Sequence, residues 1–282
     1  MKRNLIFYGY HEKWADSNLY NKNTYMNHLS DIIHDVKIFT DISSLQAYLK
    51  TEGQNYKNYI LPSLTDHIRE LNNAEINSLF EIDSFWLDQL DYKKKFAEYA
   101  IKNKLSQYIP RIYSKEDDRS SNILTIVKPN IGAYSYQVYK KRLGEVQDWE
   151  FTENVVQEYI KDPIEYAGYF VAYNGNITHS FAYMGDHGNG EYIKCEGGIF
   201  DASPKIRVTL NKKIVHELEL FLKPTLFTGI CCFDFKIKDR NLKVFEINPR
   251  LGGSLTLEEN AKDLTDIVRK LIEIYDDRNV YN

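Results

Sequence analysis

Apolar positions along this chain change spacing repeatedly, from every second residue to every third or fourth, and the changes outline its elements. An apolar run over 4–8 reads as a strand, followed by a predicted helix over about 20–34, a short strand over 36–40, a helix over 43–50 and a strand over 59–61 that stops at Pro62. This β-α-β-α-β order predicts a small parallel sheet. A helix follows over about 91–104, with Phe96, Tyr99 and Ala100 on one face. Strand spacing returns over 123–127, through Val138 and Tyr139, and over 155–159. Residues 170–173 and 177–183 flank the turn Asn174-Gly175-Asn176, which signals a hairpin. A further helix is predicted over about 209–222, and a closing helix carries Leu257, Ala261, Leu264, Val268, Leu271 and Tyr275 as an apolar stripe. The class is α/β, with no internal repeat and no low-complexity linker.

Between these last two helices lies a hairpin with distinctive chemistry. Ile230, Cys232 and Asp234 share one strand face, Cys231, Phe233 and Phe235 the other, while Val244, Glu246 and Asn248 share a face of the next strand. Asp239-Arg240-Asn241 is a natural three-residue hairpin loop. That loop sets Asp234 directly across from Glu246, with Cβ atoms about 5 Å apart. Like charges so close repel, so the pair calls for a cation. The all-oxygen set Asp234, Glu246 and Asn248 favours Mg²⁺, which binds one or two carboxylates together with substrate phosphates.

Composition narrows the setting. The chain has 282 residues, 43% hydrophobic and 14% aromatic, enough for a large domain or two to three lobes with a core. A net charge of −4 gives no electrostatic case for nucleic acid or an anionic membrane as partner. No apolar run reaches the roughly 20 residues of a membrane span. The run Leu5-Ile6-Phe7-Tyr8 is far too short for a signal-peptide core. Three cysteines, with Cys231 and Cys232 adjacent and Cys195 alone, form neither a disulfide framework nor a zinc pattern, so a reducing cytoplasm is expected. The first ninety residues lack G-x-G-x-x-G, so no dinucleotide site is assigned there.

The run Glu246-Ile247-Asn248-Pro249-Arg250-Leu251-Gly252-Gly253-Ser254, with Asp234 upstream, resembles the signature of the ATP-grasp superfamily. The resemblance implies that Asp234, Glu246 and Asn248 hold two Mg²⁺ ions, with Mn²⁺ as a substitute, under the phosphates of ATP. Lys128-Pro129-Asn130 with the turn through Ser135 resembles the lysine and flexible loop that cover those phosphates, although Gly132 is the loop's only glycine and Tyr134 is bulky. Gln157-Glu158-Tyr159-Ile160, with Glu165 beyond, resembles the family hinge. There the backbone around Tyr159 and Ile160 would meet the adenine edge, Glu158 its amino group and Glu165 the ribose hydroxyls. Asp91-Tyr92-Lys93-Lys94-Lys95-Phe96 resembles the entry to the first core helix. One of its lysines should contact the α-phosphate; Lys93 is preferred, with Lys94 and Lys95 as alternatives. The resemblance covers about 91–282 well. It implies an N-terminal pre-ATP-grasp α/β domain over 1–90, hinted at by the strand end around Pro62. It also implies an ATP-grasp domain over 91–282, split into a small lid-like lobe at about 122–160 and a metal- and substrate-binding lobe at about 161–282.

Downstream of the acids, Gly252-Gly253-Ser254 permits close backbone approach, and Thr256 with Glu259 reads as a capping box opening the last helix. A helix N-terminus beside Arg250 is an anion site, expected to hold the substrate carboxylate, or the acyl phosphate made from it, between Arg250 and this turn. The alternative is that Arg250 only braces its turn. The loop over 185–190 with His187, and later Lys194, can reach the γ-phosphate or the second substrate.

The implied reaction is carboxylate activation. A substrate acid (amino acid, peptide or sugar acid) attacks the γ-phosphoryl group to give an acyl phosphate, and an amine converts this to an amide, with Lys128 and Arg250 as the catalytic residues. The rivals are an ATP-grasp kinase for a small hydroxyl compound and a nucleotide-binding module without turnover. A homodimer is expected by analogy only.

Overall fold

In the computed structural model, residues 1–120, 122–130, 137–188 and 205–278 are described. β1 (Lys2–Tyr8), β2 (Asp35–Phe39) and β3 (Tyr56–Pro62) pair in parallel in the order β2-β1-β3, with α1 (Lys22–Leu29) and α2 (Ile42–Lys50) as connections. α1 is shorter than the predicted helix; the Asn21 side chain caps its start by accepting from Asn23 N–H. Two short helices follow that are absent from the predicted elements. α3 (Thr65–Asn73) buries Thr65, Ile68 and Leu71, and α4 (Ser84–Asp91) buries Leu87 and Leu90. Asp91 ends α4, Tyr92 is extended, and α5 (Lys93–Lys102) begins after it.

A small antiparallel sheet comes next: β4 (Ile112–Tyr113), β5 (Leu124–Pro129), β6 (Tyr139–Arg142) and β7 (Asn154–Glu158), in the order β4-β7-β5-β6. It has a core of its own, built from Tyr113, Val127, Leu143, Val146 and Val156. α6 (Asp148–Glu153) packs beside it and brings in the buried Glu150. Glu150 accepts from Lys141 Nζ at 2.6 Å, from Gln147 N–H at 2.7 Å and from the Tyr139 hydroxyl. Burial pushes its carboxyl up, but these donors outweigh burial and hold it below the usual carboxylate range. A depressed carboxylate contributes stability above its unfolded pKa and loses it as pH falls through the folded value. Glu150→Ala should therefore cost about 2 kcal/mol at pH 7, and the difference from wild type should shrink towards pH 4. Urea denaturation at the two pH values measures both.

The third sheet is antiparallel throughout, in the order β10-β9-β8-β11-β12, from β8 (Ile164–Tyr173), β9 (Asn176–Asp186), β10 (Lys205–Val208), β11 (Gly229–Lys238) and β12 (Asn241–Asn248). The predicted hairpin around Gly175 is present, with both strands longer than expected. α7 (Lys212–Leu222) and α8 (Ala261–Arg278) complete the elements. One core joins this sheet, through Phe233 and Phe170, to Leu5 and Phe7 of the first sheet, Tyr99 of α5, Phe221 of α7 and Leu264 of α8. The other face of the first sheet packs Ile6, Tyr8 and Ile60 against Leu45, Tyr48 and Leu71. No helix among the described residues is long and apolar enough to cross a membrane.

The capping box predicted at Thr256 and Glu259 does not form. α8 starts at Ala261, after short 3₁₀ turns over Gly253–Thr256 and Glu258–Asn260. The Thr256 hydroxyl turns back to Gly253 O at 2.8 Å. Asn18, buried near the N-terminus, accounts for the detour: its N–H donates to Thr256 O at 3.0 Å and its side-chain amide to Leu257 O at 2.8 Å. These bonds draw the segment onto residues near the chain start before it can coil.

Candidate functional site

The acid pair sits where the spacing places it, for a reason the spacing does not contain. Asp234 lies opposite Glu246 in the ladder. The hairpin tip, however, is a two-residue turn, Asp239-Arg240, with φ of 51° and 65°, and Lys238 pairs with Asn241. Left alone, that shorter tip would move the register by one residue. A β-bulge between Asp234 and Phe235 restores it: Phe235 faces Val244, Asp234 faces Glu246, and Phe245 is the extra residue.

β12 is the edge strand of its sheet, and the extra residue Phe245 offers its carbonyl to the small sheet. Lys128, at the end of β5 in the small sheet, donates from Nζ to Phe245 O at 2.7 Å and is buried, 6% exposed. Burial pulls its ammonium down to about 7; Glu246 and Asp234 oppose the pull and Lys93 adds to it. Lys93 reaches Glu246 Oε2 at 3.0 Å. Asn130 is what sets Lys93 there. Its carbonyl accepts from Lys93 N–H at 3.2 Å and its side chain from Lys94 N–H at 2.9 Å, so the first turn of α5 is capped from the small sheet. The next two lysines point elsewhere: Lys94 Nζ bonds Thr152 O at 3.2 Å, and Lys95 Nζ bonds Asp88 Oδ2 at 2.7 Å.

Burial pushes the Glu246 carboxyl up, but Lys93, Lys128 and a hydrogen bond with Asp234 outweigh burial and hold it well below the usual carboxylate range. Asn248 Nδ2 donates to Glu246 Oε1 at 3.3 Å. Two acids within hydrogen-bonding reach must share either a proton or a cation. Among the described residues no third Asp, Glu, His or Cys joins them to make a closed metal cage. Two carboxylates and a carboxamide nevertheless fit Mg²⁺, which keeps waters and takes the rest of its oxygens from a substrate phosphate.

Arg250 follows on the same turn. Its guanidinium donates to Leu251 O at 2.6 Å and to Asn248 Oδ1 at 3.1 Å, and lies 5.7 Å from the centre of the Trp14 ring. Two of its five N–H donors are spent on bracing. Gly252 is needed by its neighbours: a Cβ there would lie 2.8 Å from the Tyr169 ring and hydroxyl and 3.0 Å from Cys232 Sγ. Tyr169 OH meets Ser254 Oγ at 2.7 Å.

The hinge residues lie along the exit from β7. Glu158 closes the strand, its carboxylate accepting from Arg111 N–H at 3.3 Å. Tyr159 has already left the predicted strand; its N–H bonds Leu124 O at 3.3 Å, and Lys140 Nζ lies 5.4 Å from its ring centre. Ile160 is buried. Glu165 pairs with Gly185 across β8 and β9. His187 N–H bonds Pro163 O at 2.8 Å, so this loop is anchored to the hinge. The turn over 131–136 and the later loop with Lys194 and Cys195 lie outside the described residues.

Sequence reasoning misses Lys236. It is 4% exposed, and its Nζ donates to Asp162 O at 2.8 Å and Ile160 O at 3.3 Å. Burial pulls its ammonium down, opposed by Glu165 and Asp162. The available signal is a lysine set between Phe235 and Ile237 on the face that carries Asp234. Trp14 is missed as well, and no local pattern points from it to Arg250.

Comparison with known proteins gives three findings. A family model described as an ATP-grasp domain matches residues 93–254. No curated protein matches the chain by sequence. Among solved structures, the chain is similar to D-alanine–D-alanine ligase from Bacillus anthracis, with TM-score 0.62, 14% identity, and coverage of 99% of this chain and 100% of that one. The ATP complex of the same ligase gives 0.60 and 14%, over 98% and 99%. L-amino acid ligase from Bacillus licheniformis gives 0.55 and 14%, over 90% of this chain and 68% of that one.

Proposed function

The chain belongs to the ATP-grasp family, and from that premise we propose that it is an ATP-dependent ligase joining a small carboxylic acid to an amine. The observation that carries this reading is the convergence of Lys93 and Lys128, from two different elements, on Glu246 opposite Asp234. Such a cluster suits a triphosphate bound between the small sheet and the β11–β12 hairpin. In this reading residues 1–90 are the pre-ATP-grasp part, about 122–160 the lid-like lobe, and about 161–282 the lobe that holds metal and acceptor.

The hinge backbone at Tyr159 and Ile160 would take the base, with Glu158 at its amino group and Glu165, acceptor-only, at the ribose hydroxyls. Lys93 and Lys128 would offset phosphate charge in a pocket where water is scarce. Asp234, Glu246 and Asn248 would hold magnesium, which when bound supplies further neutralisation of the phosphate oxygens. The three remaining N–H donors of Arg250 would hold the substrate carboxylate beside the γ-phosphorus. The acid oxygen then displaces ADP. The amine next displaces phosphate from the acyl carbon, leaving an amide. Closure of the small sheet would keep water from the acyl phosphate. Substrates of amino-acid, peptide or sugar-acid type, and a cytoplasmic setting, belong to the same reading.

Incubation of the protein with MgATP and pools of carboxylates and amines tests it. ADP should form only when both pools are present. ADP accompanied by a stable phosphoester would instead indicate a kinase, and no ADP from any pool a binding module.

A further inference from the structure

Lys236 is an unusual residue to find where it is. It sits in β11 between the buried Phe235 and the half-buried Ile237, two positions beyond Asp234 and on the same strand face. A buried ammonium is unfavourable unless hydrogen bonds replace its water. Here the replacements are two main-chain carbonyls of the hinge, Asp162 O at 2.8 Å and Ile160 O at 3.3 Å. An apolar side chain would fill a strand position between Phe235 and Ile237 at lower cost, so packing does not explain the lysine.

The rest of the hinge backbone is held by other means. Tyr159 N–H bonds Leu124 O at 3.3 Å, Ile164 N–H bonds Asp162 Oδ1 at 2.9 Å, and His187 N–H bonds Pro163 O at 2.8 Å. The carbonyls of Ile160 and Asp162 take a donor from a side chain, Lys236. A carbonyl oxygen has two lone pairs, so each can accept from Lys236 and from one further donor. The exocyclic amino group of adenine is such a donor.

We propose that Lys236 is a positioning residue that fixes the direction of the Ile160 and Asp162 carbonyls, so that the hinge selects a nucleobase bearing an amino group. The inference rests on the nucleotide reading above and adds the origin of base selectivity.

Calorimetry with the magnesium complexes of a non-hydrolysable ATP analogue and of its inosine counterpart, which carries an oxo group in place of the amino group, tests it. Wild type should prefer the adenine form by about tenfold or more, the worth of one well-placed hydrogen bond. Lys236→Met keeps an unbranched stem and removes the donors; it should bind the adenine form about tenfold more weakly and bring the preference to within about threefold. Lys236→Arg keeps donors and should retain most of the preference. A merely structural lysine would lower the melting temperature of the free protein without moving this ratio. A Met variant with the wild-type ratio overturns the proposal. Should that variant fail to fold, Lys236→Leu, which also removes the donors, is read by the same ratio, and an unchanged value there has the same force. If wild type binds neither analogue, the nucleotide reading falls and takes this inference with it. Binding of both with equal affinity by wild type removes the inference alone.

Discussion

Glu246→Gln should lower ADP formation by about a thousandfold or more while the protein still folds. The substitution is nearly isosteric, so the bulge, the ladder partner Asp234 and the hydrogen bond from Asn248 have no steric reason to change. What changes is charge. Glu246 is the carboxylate on which Lys93 closes at 3.0 Å and whose field opposes the loss of the Lys128 proton. Without it, the site keeps two ammonium groups, one acid and no balanced place for a cation. The fold tolerates this because Lys128, already near 7, sheds its proton at little cost. Steady-state ADP release and a thermal melt on the same preparation decide the matter. A folded glutamine variant with wild-type turnover would falsify the role assigned to Glu246.

Lys128→Met is expected to have the second-largest effect, a loss of about a hundredfold to a thousandfold in turnover with weaker nucleotide binding. Its stability should depend on pH in a direction that can be worked out. The folded ammonium has its pKa lowered from 10.5 to about 7, so between those values the unfolded chain binds more protons than the folded one. Stability of the wild type therefore rises with pH across that window, and the burial penalty is fully present only below about 7. The methionine variant lacks this contribution. In nucleotide-free, chelator-treated protein, the wild type should gain about 2 kcal/mol on the variant between pH 7 and pH 9. Parallel urea curves at the two pH values would show no such convergence if Lys128 were solvated.

Local spacing carries much of this site and misses what distance in sequence conceals. The period of two in both hairpin strands places Asp234, Glu246 and Asn248, and the alignment across the ladder is present. The three-residue loop is not; a tip shorter by one and a bulge longer by one cancel. Lys93 is favoured over its neighbours by its spacing to Phe96, and it does face Glu246, but through a cap supplied by Asn130 that no helix rule foresees. The box at Thr256 and Glu259 satisfies every local criterion and is overridden by Asn18, which is remote in sequence. Lys236 in an apolar strand reads as a position open to water until the hinge carbonyls it serves are seen beside it. The first sheet is legible in order, whereas α3 and α4, of nine and eight residues, are absent from the predicted elements.

The extra residue at Phe245 bears on how freely the end of its hairpin can vary. A three-residue tip without a bulge and a two-residue tip with one use the same length of chain between Asp234 and Glu246, so either would hold the acids face to face. In the second, Phe245 is the extra residue, and its main-chain oxygen is the seat for Lys128. Lengthening the tip by one residue while smoothing out the irregularity would thus preserve the acid alignment and unseat the lysine. A surface turn at the far end of the hairpin from the chemistry thereby sets the seat of one bond between the two sheets.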